Sequence, residues 1–598
     1  MCGIAGVYYK KRVNASQKER FKTLVRTSQH QRGPDAFGHK RIKDNFDFYH
    51  NRLSIIDLEH AAQPMEDEQS IIVFNGEIYN YKILKDPHEN YKYDSDTEVL
   101  LKGFAKHKFD FLHQTKSMFG FAHYDKHEEK LTLCRDRIGI KQVYYIDNDE
   151  VFAFASTITP LTLFSQKNLN KDVLWGYYLN RAFKAPETIF DDIKELEAGS
   201  FITFDTQREY ISKQEKWWQR SKLQNSQQDE NTVLEDIESL LHTSVKERLV
   251  ADVSVGSFLS GGVDSGLITA IAAKYKPNLE VFTVAMEDPA YDESAYAKAI
   301  AKRYNLRYHE VMLTGREFVD EMQSWITMQD DIVANPSALM LHKLAQLAQH
   351  NGYKVMLAGE GADELFAGYA SYKRFLYAKE AYKYIGLLKP FAKPISKLFA
   401  SDSRKAFFVY NLLSNPRFYG TAQLFEPPLI EKLLHHQVVQ SEAMTLKEAL
   451  DRDIKDRVPN DLLTSNGDRA AMGASIEARV PFLAHELVEY TASIDETLFV
   501  QNKQMKYLLK KIAQKYIPHE NIYRKKVGFE MPMNRWLRDE FKEIMMDLIA
   551  NSVQKDVLDI GVIEALYKDH LSGKIDAGGK LFAFMSLELS YRHLSRIA

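Results

Sequence analysis

Two places in this chain carry residue types able to do covalent chemistry, and they lie far apart. The first is the opening, Met1-Cys2-Gly3-Ile4-Ala5-Gly6. Removal of an initiator methionine before the small Cys2 would leave a thiol and a free α-amine on one residue. Their ordinary pKa values, about 8.5 and about 7.7–8.0, are close enough for the amine to take the thiol proton. Cys2 then becomes a self-activated nucleophile for a carbonyl carbon. Taken alone, the same residue reads more readily as a small buried hydrophobe opening a strand.

The second place is a pair of loops. Ser260-Gly261-Gly262-Val263-Asp264-Ser265 follows an apolar run and opens a helical pattern. Two glycines allow a tight turn with N–H groups aimed inward, and the helix N-terminus adds a positive end, which suits a pyrophosphate. The loop lacks the Gly-Lys-Ser/Thr ending of a Walker loop, so γ-phosphate hydrolysis is disfavoured. Asp264 beside phosphates calls for Mg²⁺ between them. Alone, the loop is also compatible with an ordinary strand-to-helix turn. Ala358-Gly359-Glu360-Gly361-Ala362-Asp363-Glu364 places three carboxylates directly after another apolar run. Asp363 is a candidate to share the metal, and Glu360 to position substrate or accept a proton. Asp292-Glu293-Ser294 reads by itself as a helix cap.

The elements that must hold these residues fall into two patterns. The first ~200 residues read as strands and turns. Expected strands are 2–9, Arg52–Asp57, Ile71–Phe74, Met118–Ala122 and Phe152–Ser156, with a helix over Gln17–Gln31 and another capped by Ser95 or Asp96. A polar stretch, 212–231, reads as a linker between domains 2–211 and 232–598. Beyond it, strands near 253–259, 280–286, 308–313 and 353–358 alternate with helices near 265–275, 294–304 and 339–350. Such alternation implies a doubly wound parallel sheet with ligands at the carboxyl ends of its strands. From Ala367 onward the pattern is mostly helical.

Composition narrows the class. At 598 residues and 45% hydrophobic content the chain supports two or three domains with real cores. A formal net charge of -3, with no long Lys/Arg run, offers no face to nucleic acid. Only Cys2 and Cys134 are present, so a disulfide framework is excluded and a reducing, cytoplasmic setting is expected. No opening signal segment is visible and no apolar run has membrane-spanning length, so no membrane partner is expected; Tyr384 to Ala400 is broken by Lys389, Pro390, Lys393, Pro394 and Lys397.

Several motifs together resemble a known family. Cys2–Gly6, Arg32-Gly33-Pro34-Asp35, Arg52–Asp57 and Asn75-Gly76-Glu77-Ile78-Tyr79-Asn80 resemble the class II glutamine amidotransferase domain. Ser260–Ser265, Asp292–Ser294, Gly359–Glu364, Ser475–Leu483 and Arg524–Phe529 resemble the asparagine synthetase domain. The match runs in family order over nearly the whole chain, as in glutamine-hydrolysing asparagine synthetases. The resemblance implies an N-terminal αββα Ntn-type sandwich and a C-terminal ATP-pyrophosphatase-like doubly wound domain with added helices.

It also implies roles. Cys2 attacks the glutamine amide, with the Asn75 side chain and Gly76 N–H as oxyanion hole. Arg52, Leu53, Ser54 and Ile55 border the glutamine, whose carboxylate Arg52 holds; Glu77 and Asp96 surround its α-amine. Ser260, Gly261, Gly262 and Ser265 hold pyrophosphate, Asp264 and Asp363 reach Mg²⁺, and Phe258, Leu259, Val284, Ala358 and Gly359 border the adenosine. Glu360 and Lys506 act on the acyl-adenylate. The implied substrates are glutamine, ATP and aspartate, and the resemblance leaves room for a homodimer.

The chain departs from the family at Gln142 and Thr157, away from the assigned chemistry. It also departs at Asn335, Asn466 and Ala484, where the acceptor carboxylate comes into question. A cell-envelope sugar acid or a peptidoglycan precursor is the alternative acceptor, and a non-catalytic protein on the same scaffold is the alternative class.

Overall fold

The computed structural model describes residues 2–597 except 225, 227, 331, 399–402, 415, 439–444 and 525–530. The motif expected over Arg524–Phe529 therefore lies outside the described residues from 525 onward. Among the described residues no helix is long and apolar enough to cross a membrane.

The strand Gly3–Tyr9 is buried at every position because it has neighbours on both edges and layers on both faces. It pairs antiparallel with Phe46–Arg52 and Val151–Ala155 inside a six-stranded sheet. A second six-stranded sheet contains Ser70–Ile78, which pairs antiparallel with Ser117–Asp125 over their whole lengths. Side chains alternate across the first strand. Ile4 and Tyr8 point between the sheets, into an apolar layer with Phe48, Val73, Leu133 and Phe204. Ala5, Val7 and Tyr9 point the other way, onto the core that includes Phe21 and Val25 of the helix Ala15–Ser28. The helix Asp96–Gln114 covers the outer face of the second sheet, where Phe104 meets Phe121 edge-on at 5.1 Å. The order of layers is helix, sheet, sheet, helix, as expected.

Two expectations need correcting here. Arg52 ends its strand, and 53–57 leave the sheet as a loop. The Arg52 guanidinium donates to the carbonyls of Asp57 (2.6 Å) and Leu58 (3.1 Å), folding the chain back on itself. The alternating apolar residues there are buried by loop packing. The polar stretch 212–231 also starts inside a strand: Tyr210–Lys216 pairs with Ser200–Asp205 at the edge of the second sheet, and Trp217 is buried in the core. An edge strand with one solvated face tolerates Lys, Gln and Glu, so composition alone looked like a linker. The helix Glu230–Arg248 then begins the second half.

That half holds a five-stranded parallel sheet in spatial order Arg307–Leu313, Glu280–Met286, Val255–Phe258, Val355–Leu357, Glu477–Arg479. The chain builds outward from Val255–Phe258 in one direction, then returns to build in the other. The order therefore reverses between Val255–Phe258 and Val355–Leu357, and a crevice opens beyond their carboxyl ends. Between the two halves runs a wide helix, Asp453–Ala470, whose residues from Val458 onward are all buried.

Candidate active sites in the two halves

Cys2 stands at the mouth of the sandwich. Its backbone N–H donates to Asn75 Oδ1 at 2.9 Å, and its thiol to the Leu53 carbonyl at 3.9 Å. The N–H donor fixes the amide's orientation, so Asn75 Nδ2 points away as a donor; it is buried without a partner among the described residues. An orphaned buried N–H costs free energy unless a ligand oxygen takes it, which is what an oxyanion would do. Burial pushes the Cys2 thiol up, whereas Arg52 pulls it down.

Glu77 and Asp96 form an anionic recess. Burial raises Glu77 well above the usual carboxylate range, Glu477 reinforces this, and Arg479 opposes it from 3.4 Å. Glu77 Oε2 has no partner among the described residues. Burial also lifts Asp96 to about 6, against the Ile78 N–H that it accepts at 3.1 Å. The helix cap beside it is the Ser95 side chain, which receives the Thr97 N–H. An incoming ammonium is the partner such carboxylates lack. Glu477 and Arg479 belong to the edge strand of the second half, and no local sequence signal marks them as neighbours of Glu77.

In the second half the structure brings the two loops together at the switch point. Gly261, at φ +73°, makes the first turn, and a Cβ there would meet the Ala297 nitrogen at 2.5 Å. The Ser260 N–H donates to Ser265 Oγ (3.1 Å), and the two hydroxyls lie 2.9 Å apart. Lys506 Nζ lies 2.6 Å from both Asp264 oxygens and 2.6 Å from Asp363 Oδ1. Lys506 itself is held in a left-handed backbone conformation just before the helix Tyr507–Ala513, the kind of strain that collects at functional positions. Gly368 makes this convergence fit: a Cβ there would fall 1.7 Å from Asp363 Oδ1 and 2.1 Å from Lys506 Cε.

Phe258, Leu259 and Ala358 are buried at the strand ends, with Val284 and Gly359 half-buried beside them. Among the described residues no three His, Cys, Asp or Glu side chains gather to hold a metal by themselves. Two converging carboxylates, with phosphate oxygens and water completing the shell, nevertheless fit Mg²⁺. Asp292 accepts the Ser294 N–H at 3.1 Å and hydroxyl at 3.0 Å from one position outside the helix Ser294–Arg303, whose cap position is Glu293.

Glu360 is raised to about 7 by burial, then by Glu364 and Asp363, with Arg457 and Asn466 opposing. Asn466 belongs to a polar cluster: Asn335 Nδ2 donates to Ser465 Oγ at 3.3 Å and lies 3.5 Å from Asp461 Oδ1, and Ser337 donates to Asn335 Oδ1 at 2.8 Å. Two of the departures from the family pattern thus sit together, beside Glu360. Ala484 precedes the helix His485–Ser493 and offers it no side-chain cap. Gln142 lies between the halves, donating to Thr464 Oγ1 at 3.2 Å, and Thr157 accepts from Gln29 at 3.2 Å.

Arg32, Lys141 and Asp468 were not legible as a group. Arg32 grips Asp468 and also donates from Nε to the Cys2 carbonyl at 3.3 Å, and Lys141 Nζ approaches Asp468 at 3.3 Å.

A thiol-bearing αββα sandwich thus joins a doubly wound domain with a glycine-turned loop at its switch point. Residues 1–218 match the glutamine amidotransferase domain model, and residues 236–592 match the asparagine synthase model. The chain is 30% identical to asparagine synthetase [glutamine-hydrolyzing] 1 of Bacillus subtilis (strain 168), an alignment covering 98% of this chain and 95% of that one. It is 27% identical to asparagine synthetase [glutamine-hydrolyzing] 3 of the same organism, over 88% of this chain and 86% of the other. A solved glutamine phosphoribosylpyrophosphate amidotransferase from B. subtilis aligns with 51% of this chain and 65% of its own at 14% identity and a TM-score of 0.27, too distant to bear on the site. The chain belongs to the asparagine synthase family.

Proposed function

We propose that the protein makes asparagine from aspartate, glutamine and ATP, releasing glutamate, AMP and pyrophosphate. Cys2, freed of Met1, attacks the glutamine amide; its α-amine takes the thiol proton. Asn75 Nδ2 and the Gly76 N–H receive the oxyanion, Arg52 holds the substrate carboxylate together with the loop Leu53, Ser54 and Ile55, and Glu77 and Asp96 face the α-amine. Ammonia released there passes internally to the second half. There the 260–265 loop binds pyrophosphate, the strand ends 258–259, 284 and 358–359 border the nucleoside, and Lys506 turns its point charge to phosphate. Asp264 and Asp363 would hold Mg²⁺, which supplies charge neutralisation for the phosphates when bound. Glu360 sits where it can take a proton from ammonia attacking the acyl-adenylate. A reactive thiol and ATP as a substrate support a cytoplasmic setting for this activity.

The observation that carries the reading is the convergence of Asp264, Asp363 and Lys506 within 2.6 Å contacts at the switch point. The two amides Asn335 and Asn466, 3.5 Å apart, keep a second acceptor in view, another carboxylate handled by the same chemistry. ATP–pyrophosphate exchange across a panel of carboxylic acids tests both. Aspartate should support exchange. Exchange with a different acid alone would reassign the acceptor and leave the class standing, and release of ADP with inorganic phosphate would remove the class.

A further inference from the structure

A helical lobe, 370–413, stands outside both sites. The helix Ala370–Ile385 anchors it: Tyr372, Phe375 and Ala378 are buried, and Tyr372 stacks on Phe418 at 5.3 Å. The lobe continues through the turn Gly386–Phe391, the short helix Ala392–Lys397 and the helix Ser403–Leu413. Its far end is covered in large apolar side chains that the fold does not bury. Leu387 is 91% exposed, Leu398 80% and Tyr384 78%, with Leu388, Phe391 and Phe408 also exposed. Ile83 is as open, at 84%, but stands singly, whereas these six crowd one end of the lobe.

Charge is as uneven as hydropathy. The lobe carries nine Lys or Arg residues against Glu380 and Asp402, in a chain whose net charge is -3. Lys383, Lys389, Lys393 and Lys397 are exposed around the apolar tip. Apolar and aromatic side chains inside a collar of lysines are the pattern of segments that lie in a bilayer interface. Anionic headgroups attract the lysines, whose long stems let their charges reach the headgroup layer. Protein interfaces favour Arg and deplete Lys, and a second copy packed face to face here would set lysines against lysines. The prolines 390 and 394, with Lys389, Lys393 and Lys397 beside them, keep the segment from spanning.

We propose that the tip of this lobe docks the protein on an anionic lipid surface. The apolar side chains enter the headgroup boundary and the lysines hold the phosphates, leaving both sites free.

Vesicle co-sedimentation of the full chain tests this, using phosphatidylglycerol-containing and pure phosphatidylcholine vesicles at low and high salt. Binding should require the anionic lipid and weaken with salt. The L387S/F391S/L398S variant and the K389E/K393E/K397E variant should each lose about tenfold or more in partitioning. Both should keep wild-type ammonia-dependent synthesis and far-ultraviolet circular dichroism, which shows that they are folded. Absence of binding to anionic vesicles would overturn the proposal. So would equal binding by both variants. Sedimentation equilibrium without lipid supplies the third outcome: a dimer that the apolar substitutions dissociate, without vesicle binding, would assign the face to a second copy instead.

Discussion

Arg32 closes on Asp468 as a fork on a carboxylate, with Nη1 at 2.6 Å and Nη2 at 3.2 Å, joining residues 436 positions apart across the boundary between the two halves. Both are buried, so the pair is unscreened by solvent, and Lys141 adds a second cation. The same guanidinium reaches the Cys2 carbonyl. The placement of Cys2 in the first half therefore depends on a residue of the second.

Burial alone would raise Asp468, but Arg32 and then Lys141 hold it down at about 2. A carboxyl lowered from about 3.9 contributes stability above that pH, and the contribution is lost as pH falls toward 2. The shift corresponds to about 2–3 kcal/mol. Asp468→Asn should remove this part of the acid transition between pH ~4 and ~2 and cost about 3 kcal/mol at neutral pH. Acid and urea unfolding curves of the two proteins check it. An unchanged acid limb would mean that the pair is energetically neutral.

Cys2→Ala should abolish glutamine-dependent synthesis and preserve synthesis from ammonium. Only the sulfur is lost, so the fold should bear a cost of about 1 kcal/mol. An N-terminal tag that blocks the α-amine should reproduce the effect. Turnover measured side by side with both nitrogen sources decides it; retained glutamine use by the folded variant would make Cys2 a packing residue.

Asp264→Asn and Asp363→Asn should each abolish pyrophosphate exchange and leave glutaminase activity nearly intact. Neither carboxylate lies near Cys2, and each neutralises Lys506 directly. Loss of glutaminase activity in a folded variant would show that the halves are not chemically separable.

Gly368→Ala carries the same logic without touching a charge. The added methyl must displace Asp363 or Lys506, so exchange should fall by at least about tenfold, as a displacement of ~1 Å at a reacting centre commonly does. Glutaminase rate is the internal control, and unchanged exchange would show that the pair can shift freely.

Glu360, raised to about 7, should give ammonia-dependent kcat/KM an acid limb near that pH when rates are plotted against free ammonia. The carboxylate form accepts protons, so activity rises with pH through the limb. Glu360→Gln should lower the rate and erase the limb; a limb that survives the substitution belongs to another group.

What was legible in the sequence was local. Gly261 and Gly262 announced a turn, and the apolar runs announced parallel strands. The switch point followed from the alternation of strands and helices, because loops after strand ends must meet there. Residues 53–57 were misread because Leu53, Ile55 and Ile56 are buried by a loop that Arg52 ties, and periodicity cannot distinguish that from a strand. Lys216 and its neighbours were misread because a solvated edge strand has the composition of a linker. Arg32 with Asp468, and Glu77 with Arg479, left no trace at all, since a pairing across hundreds of residues has no sequence spacing.

Lys506 between Asp264 and Asp363 has a consequence for the order in which ligands arrive. The ammonium already serves as counter-ion to both carboxylates, so a bare divalent ion would have to displace that charge from each of them. A triphosphate changes that exchange: it delivers the metal and, with it, the anion toward which Lys506 can swing. Under the proposed function, such a site would take a metal–nucleotide complex in preference to a free metal, with one side chain as a placeholder for the cation it would later accompany.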